Sequence, residues 1–296
     1  MIEFRDITLS DRQWVHPLLQ MSGYGSEEYC FGFMYTWKEA FNYQVGRIGD
    51  YLILRADIEG KISYLFPPGS GDISSVIEAL IDIEAEAGRR LNFHTVLYQQ
   101  VKLMQTLFPG KFEFKPLEDY YDYVYDSQSL ITLTGKKLHA KRNHINRFKQ
   151  DNPDWSYEPI SLENLAQVID MSREWCIIND CESTKSGHEE ACAVRRTLEE
   201  FFALQCNGGA IRAGGRIIAF SIGEPLNHDT YLVHIEKAFG DIQGAYAIIN
   251  QQFAFHNCQN FLYINREDDS GQPGLRKAKQ SYHPVFLAEK YSATLV

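Results

Sequence analysis

The chain has 296 residues, 44% hydrophobic and 13% aromatic, and a net charge of −10. That is enough apolar material for one large core or two modest ones, and it excludes a disordered chain. The acidic balance opposes chain-wide binding to nucleic acid or anionic lipid, so any such contact has to be local. No apolar run reaches the roughly 18 residues of a membrane span. The N-terminal MIEFRDITLSDR carries acids and lacks the continuous apolar stretch of a signal peptide. Six cysteines without a C-x-x-C pair read as reduced thiols with neither a disulfide framework nor a metal pattern. The expectation is a cytoplasmic protein with no transmembrane segment.

In chain order, Ile2–Ile7 reads as a strand and Asp11–Met21 as a helix with Trp14, Leu18 and Met21 on one face. The aromatic-rich Tyr29–Phe41 reads as a second helix. Tyr43–Ile48 and Tyr51–Asp57 form a hairpin over Gly49–Asp50, and Ile62–Phe66 is a further strand. Asp72 is placed to cap a helix over Ile73–Ala87 that Gly88 closes. Strand Leu91–Leu97, helix Gln99–Leu107 and strands Lys111–Lys115 and Asp122–Asp126 complete residues 1–126.

Residues 151–296 repeat that order. Strand Trp155–Ile160 is followed by a helix capped by Ser161 and running through Asn179, then by a helix over His188–Cys206. Gly209–Arg212 and Arg216–Ile222 pair over Gly214–Gly215, and Tyr231–Ile235 follows as a strand. Helix Ala245–Asn257 leads to strand Phe261–Asn265, helix Leu275–Ser281 and a final strand around Val285–Tyr291. A repeat of half the chain means two duplicated domains, not a solenoid. The order strand, two helices, three strands, helix, strand, helix, strand resembles the GCN5-related N-acyltransferase (GNAT) superfamily in tandem. The resemblance implies an α+β fold of two mixed, mostly antiparallel sheets flanked by helices.

Between the halves, residues 127–150 (SQSLITLTGKKLHAKRNHINRFKQ) hold six basic residues and no acid. Leu138, Ile145 and Phe148 give this connector an apolar edge, so it reads as a docked helix. Lys136, Lys137, Lys141, Arg142 and Arg147 form either a solvated basic surface or a phosphate-facing one. The stretches LTGKKLHAKRNHINRFK, HIEKAFGDIQGAYAIINQQFA and INREDDSGQPGLRKAKQSYHP resemble the phosphatidylglycerol lysyltransferase C-terminal family. More loosely, they are similar to the non-ribosomal peptidyltransferases of cell-wall synthesis. The resemblance implies transfer of an aminoacyl group from aminoacyl-tRNA to an amine or hydroxyl. It also implies tRNA as a partner through the basic connector, and a small molecule or lipid headgroup as acceptor.

The strand–turn–helix over Thr230–Asn257 leaves backbone N–H groups at a helix start, where an anion or carbonyl can dock. In coenzyme A enzymes of the superfamily that turn cradles a pyrophosphate. The matching residues here are Gln243, Gly244, Ala245 and Tyr246. Only Gly244 and Ala245 suit the role, because Asp241 repels a phosphate and Tyr246 obstructs it. An aminoacyl-tRNA donor therefore stands ahead of acetyl-CoA or another acyl-CoA, and no covalently bound cofactor is expected. A non-catalytic ligand-binding module that kept the fold is the competing class.

His234 and Glu236, at i and i+2 of a strand, share one face and could together deprotonate an acceptor. The plain alternative is a satisfied core histidine beside a surface Glu236–Lys237 pair. Asn265, Arg266, Glu267 and Asp268 end the next strand, where ligands commonly sit. Arg266 suits a phosphate or carboxylate, and Glu267 or Asp268 suits a cationic amine. By the superfamily resemblance Tyr282 protonates the leaving group, and Lys277 extends the basic surface.

Overall fold

The computed structural model describes residues 2–58 and 60–296. The first half contains β1 (Arg5–Asp6), α1 (Arg12–Ser22), α2 (Phe31–Thr36), β2 (Gln44–Ile48), β3 (Tyr51–Ile58) and β4 (Lys61–Tyr64). It continues with α3 (Ile73–Glu86), β5 (Asn92–Leu97), α4 (Tyr98–Leu107), β6 (Phe112–Pro116) and β7 (Asp122–Asp126). Two helices follow, α5 (Ser127–Thr132) and α6 (His139–Asp151). The second half runs β8 (Ser156–Pro159), α7 (Leu165–Ile178), α8 (Lys185–Glu199), β9 (Asn207–Ala213), β10 (Arg216–Pro225) and β11 (Thr230–Ala238). It ends with α9 (Ala245–Asn257), β12 (Tyr263–Asn265), α10 (Pro273–Gln280), β13 (Phe286–Ala288) and β14 (Lys290–Leu295). Among the described residues no helix is long and apolar enough to cross a membrane.

These elements build two α+β units, each with a seven-stranded mixed sheet flanked by helices. In the first sheet the order is β1-β2-β3-β4-β5-β14-β6; in the second it is β13-β7-β12-β11-β10-β9-β8. Each holds one parallel pair, β4/β5 and β11/β12, with every other registered pair antiparallel. The compact units do not follow a simple cut at residue 126. One comprises Met1–Asp122, Asp268–Pro273 and Leu287–Val296, the other Tyr123–Glu267 and Gly274–Phe286. The cause lies in strand pairing: the last strand of the chain, β14, lies between β5 and β6, while β7 lies beside β12 in the second sheet.

In the first unit the local signals act as read. Asp72 caps α3 by accepting the Ser74 N–H at 3.0 Å, and Gly88 (φ 70°) ends it. Val76, Ile77 and Leu80 on α3 then pack with Tyr64, Phe66 and Phe93 of the sheet side. Each of these large side chains contributes about 1.5–3 kcal/mol on burial.

The same unit buries an ion cluster. Lys290 is completely inaccessible, with Nζ 2.5 Å from Asp122, 2.8 Å from Glu28 and 3.1 Å from Glu27. Burial works against the ammonium, but Asp122, Glu27 and Glu28 hold its pKa well above the ordinary lysine value. Three carboxylates exceed one lysine. Burial raises Glu28 to about 6, with Lys290 opposing and Asp122 adding to the rise. His94 is driven the other way, to about 4, by burial and then by Lys290.

In the second unit α9 is apolar on most of its surface, with Ala247, Ile248, Ile249, Phe253 and Ala254 buried. It packs on the sheet on one side and on α5 and α6 on the other, where Leu130, Leu138, Ile145 and Phe148 are buried. The connector is two helices, not one. Leu133 (φ 52°) and Gly135 (φ 86°) turn the chain between them.

Candidate active site

The parallel ladder of β11 and β12 runs only from Thr230–Tyr263 to Leu232–Asn265. Beyond it β11 continues to Ala238, while the chain after Asn265 turns to pair Arg266 N–H with the Tyr123 carbonyl at 3.0 Å. The two strands therefore splay, and the side chains of His234 and Glu236 project where the sheet opens.

Glu236 is the centre of a polar cluster. One carboxylate oxygen accepts from Arg266 Nη2 at 2.9 Å and the other from Asn250 Nδ2 of α9 at 2.8 Å. Arg266 is mostly buried, and its Nη1 has no hydrogen-bond partner among the described residues. Burial opposes its charge, yet Glu236, then Tyr125 and Tyr282, keep its pKa raised. The guanidinium carbon lies 4.9 Å from the Tyr282 ring centroid and 5.5 Å from that of Tyr125. Tyr282 is 5% exposed. Burial raises its pKa, so the hydroxyl keeps its proton through neutral pH.

His234 has a different setting from the one a free base needs. Its Nδ1 lies 2.8 Å from Glu267 Oε1 and its Nε2 lies 3.1 Å from Glu224 Oε1. Both ring nitrogens are thus engaged by carboxylates, and neither is open to a substrate. The geometry makes His234 a clamp between β10 and the end of β12, and leaves Glu236 as the carboxylate of the pair that faces the cluster. Glu267 adopts φ 59°, an uncommon conformation for a side-chain residue. Asn265, fully buried, holds it there by accepting the Glu267 N–H at 2.8 Å. Lys279 of α10 reinforces the turn by donating to the Arg266 carbonyl at 2.6 Å and the Glu267 carbonyl at 3.1 Å.

Other expected site residues separate from this cluster. Asp268 groups with the first unit and caps a turn by accepting the Ser270 N–H at 2.9 Å. Gln243 and Lys277 are exposed. Ala245 is buried, and the Tyr246 hydroxyl accepts from Trp175 Nε1 at 3.2 Å. Gly244 (φ 84°) does open α9, but a Cβ there would collide with the His144 carbonyl and press on Phe148. The glycine is thus required by the close approach of the α6 backbone.

The basic connector divides too. Arg142 folds back on the Leu133 and Gly135 carbonyls, and Arg147 pairs with Asp151 at 2.7 Å. Lys136 and Lys137 are exposed. Lys141 instead points at the cluster, with Nζ 3.8 Å from the Tyr282 ring centroid.

Sequence reasoning did not single out Glu224 or Asn250. Glu224 carried a signal, as the one charged residue of the largely apolar run IIAFSIGEP, whereas Asn250 heads the polar triplet Asn250-Gln251-Gln252 and does not stand out.

With the geometry in view, comparison with known proteins places the chain. Residues 21–294 match the family described as phosphatidylglycerol lysyltransferase, C-terminal. The chain belongs to this family. A crystal structure of a conserved protein of unknown function from Bacteroides thetaiotaomicron VPI-5482 is 38% identical, with a TM-score of 0.96 over 100% of both chains. L-PGS from Bacillus licheniformis shares the fold at 18% identity and a TM-score of 0.66, over 96% of this chain and 91% of that one. An uncharacterised protein of Mycoplasmoides gallisepticum is 26% identical over 188 residues, which is 60% of this chain and 58% of that relative's length. Membership of the phosphatidylglycerol lysyltransferase C-terminal family is consistent with acyl or aminoacyl transfer.

Proposed function

We propose that this protein transfers an aminoacyl group from aminoacyl-tRNA to an amine or hydroxyl, at the splay of β11 and β12. The observation that carries the reading is the pairing of two features in one unit. The turn before α9 has α6 packed against it at Gly244 and carries Asp241 and Tyr246, while the neighbouring splay keeps a buried cluster of Glu236, Arg266, Asn250 and Tyr282. The first disfavours a coenzyme A donor, and the second supplies the groups that acyl transfer needs.

In this mechanism the acceptor nitrogen or oxygen attacks the donor's ester carbonyl carbon. The positive charge of Arg266 beside the cluster stabilises the oxygen on which negative charge develops. Glu236 takes the acceptor's proton after releasing one of its two donors. The bond from the carbonyl carbon to the ribose oxygen then breaks, and Tyr282 gives that oxygen its proton, regaining one from solvent. The acceptor is a small molecule or a lipid headgroup, the latter suggested by the family's name. An aminoacyl-tRNA donor would put the reaction in the cytoplasm.

Thermal melting separates the donors. A non-hydrolysable 3′-aminoacyl-adenosine amide at a large excess over its Kd should raise Tm by roughly 2–4 °C, and acetyl-CoA should not. A shift with acetyl-CoA alone would overturn the aminoacyl-tRNA reading.

A further inference from the structure

Two cations and one carboxylate gather around Tyr282, and the carboxylate is already engaged. Glu236 receives Arg266 Nη2 and Asn250 Nδ2 on separate oxygens. Arg266 Nη1 is buried without a hydrogen bond among the described residues. Lys141, half-buried, makes no hydrogen bond or ion pair among the described residues and meets only the Tyr282 ring at 3.8 Å. Burial, then Arg266, lowers the Lys141 pKa, with Glu236 opposing. A surplus positive charge and two sets of unengaged N–H donors, partly withdrawn from water, favour a singly charged oxyanion.

The surroundings indicate which oxyanion. Lys149 lies eight residues beyond Lys141 on α6, about 12 Å along the helix. It lines a groove of about 330 Å³ with Thr132, Gln251, Gln252 and Phe255. Phe255 is 46% exposed there. An aromatic face beside amide side chains and a lysine suits a nucleobase on a phosphodiester strand, since bases stack on such rings whatever their identity. A lipid headgroup would engage only the inner pair of cations and leave the groove unused.

We propose that Lys141 and Arg266 form a receptor for a backbone phosphodiester of the donor's single-stranded RNA end. The inference rests on the aminoacyl-transfer reading and names residues that hold its donor. Lys141 is a binding residue in this scheme and takes no proton from the acceptor.

The test is calorimetric titration of the full chain with the dinucleotide CpA, glycerophosphoglycerol and inorganic phosphate, at low and raised salt. CpA should bind most tightly. Lys141→Met should weaken it at least tenfold, as expected for one charge-assisted hydrogen bond, and make its salt dependence shallower. Lys141→Arg, which keeps the charge, should retain most of the affinity. Melting curves of each variant distinguish a lost site from a lost fold. Equal CpA affinity in wild type and Lys141→Met would overturn the proposal. So would tighter binding of glycerophosphoglycerol, or no binding of CpA at millimolar concentration. Binding needs no turnover, so the two readings fail separately. Intact aminoacyl transfer without the Lys141 effect removes only the receptor. CpA binding that depends on Lys141, without any transfer, removes only the enzymatic reading.

Discussion

Replacing Glu236 with glutamine should lower aminoacyl transfer by about two to four orders of magnitude, the range for loss of a general base. The substitution keeps the side chain's size and one acceptor oxygen, so shape is preserved and charge is not. Arg266 then has no counterion in a setting where only 11% of its side chain is exposed. Removing one partner of such a pair costs about 3–5 kcal/mol, so the melting temperature should fall as well. Tyr282→Phe is the contrasting variant. Its hydroxyl makes no hydrogen bond among the described residues, so transfer should fall while stability changes little. Measured transfer rates and melting curves on both variants check this. Wild-type transfer by Glu236→Gln would exclude the carboxylate from the chemistry.

Lys290→Met should cost the first unit about 3–5 kcal/mol, because Glu27, Glu28 and Asp122 would be left without their shared ammonium. The pH profile carries a second signature. The Glu28 pKa is raised on folding, to about 6, so its contribution is full below its ordinary value near 4.5 and is lost as pH rises through 6. That loss amounts to about 2 kcal/mol. His94 acts oppositely. Its depressed value of about 4 costs stability as pH falls below 6.5, by at most about 3 kcal/mol. Lys290 stays charged throughout this range because its value is raised. Glu28→Gln should therefore stabilise the protein at pH 7.5 and steepen its loss of stability on acidification. Denaturant melts from pH 4.5 to 7.5 would show both changes, and an unchanged profile would contradict the account of the cluster.

The fold was legible where local chemistry decides it. Helix α9 falls on the expected residues because Gly244 opens it and an apolar stretch fills it. The β9–β10 hairpin follows from Gly214 and Gly215, both at positive φ. What could not be read was non-local. Val285–Tyr291 looks like one strand, yet Phe286–Ala288 and Lys290–Leu295 join different sheets, a matter of pairing across some 200 residues. The connector reads as a single helix because nothing in ITLTG announces that Leu133 itself will turn left-handed.

Site residues divide in the same way. Glu236, Arg266 and Tyr282 meet because the end of each strand or helix brings them to one place. Lys141 counts as surface in any composition-based reading, since its inward direction depends on how α6 packs against Gly244. His234 reads as a base until its two carboxylates are known, and one of them, Glu224, comes from a different strand.

The central claim is that the β11–β12 splay carries out aminoacyl transfer. Incubating the full chain with tRNA charged with a labelled amino acid, across a panel of amine and hydroxyl acceptors including lipid headgroups, tests it most directly. The account predicts that the label leaves tRNA for a covalent acceptor product, and that Glu236→Gln suppresses this. Label that stays on tRNA with every acceptor, while an acetyl group moves from acetyl-CoA, would contradict it.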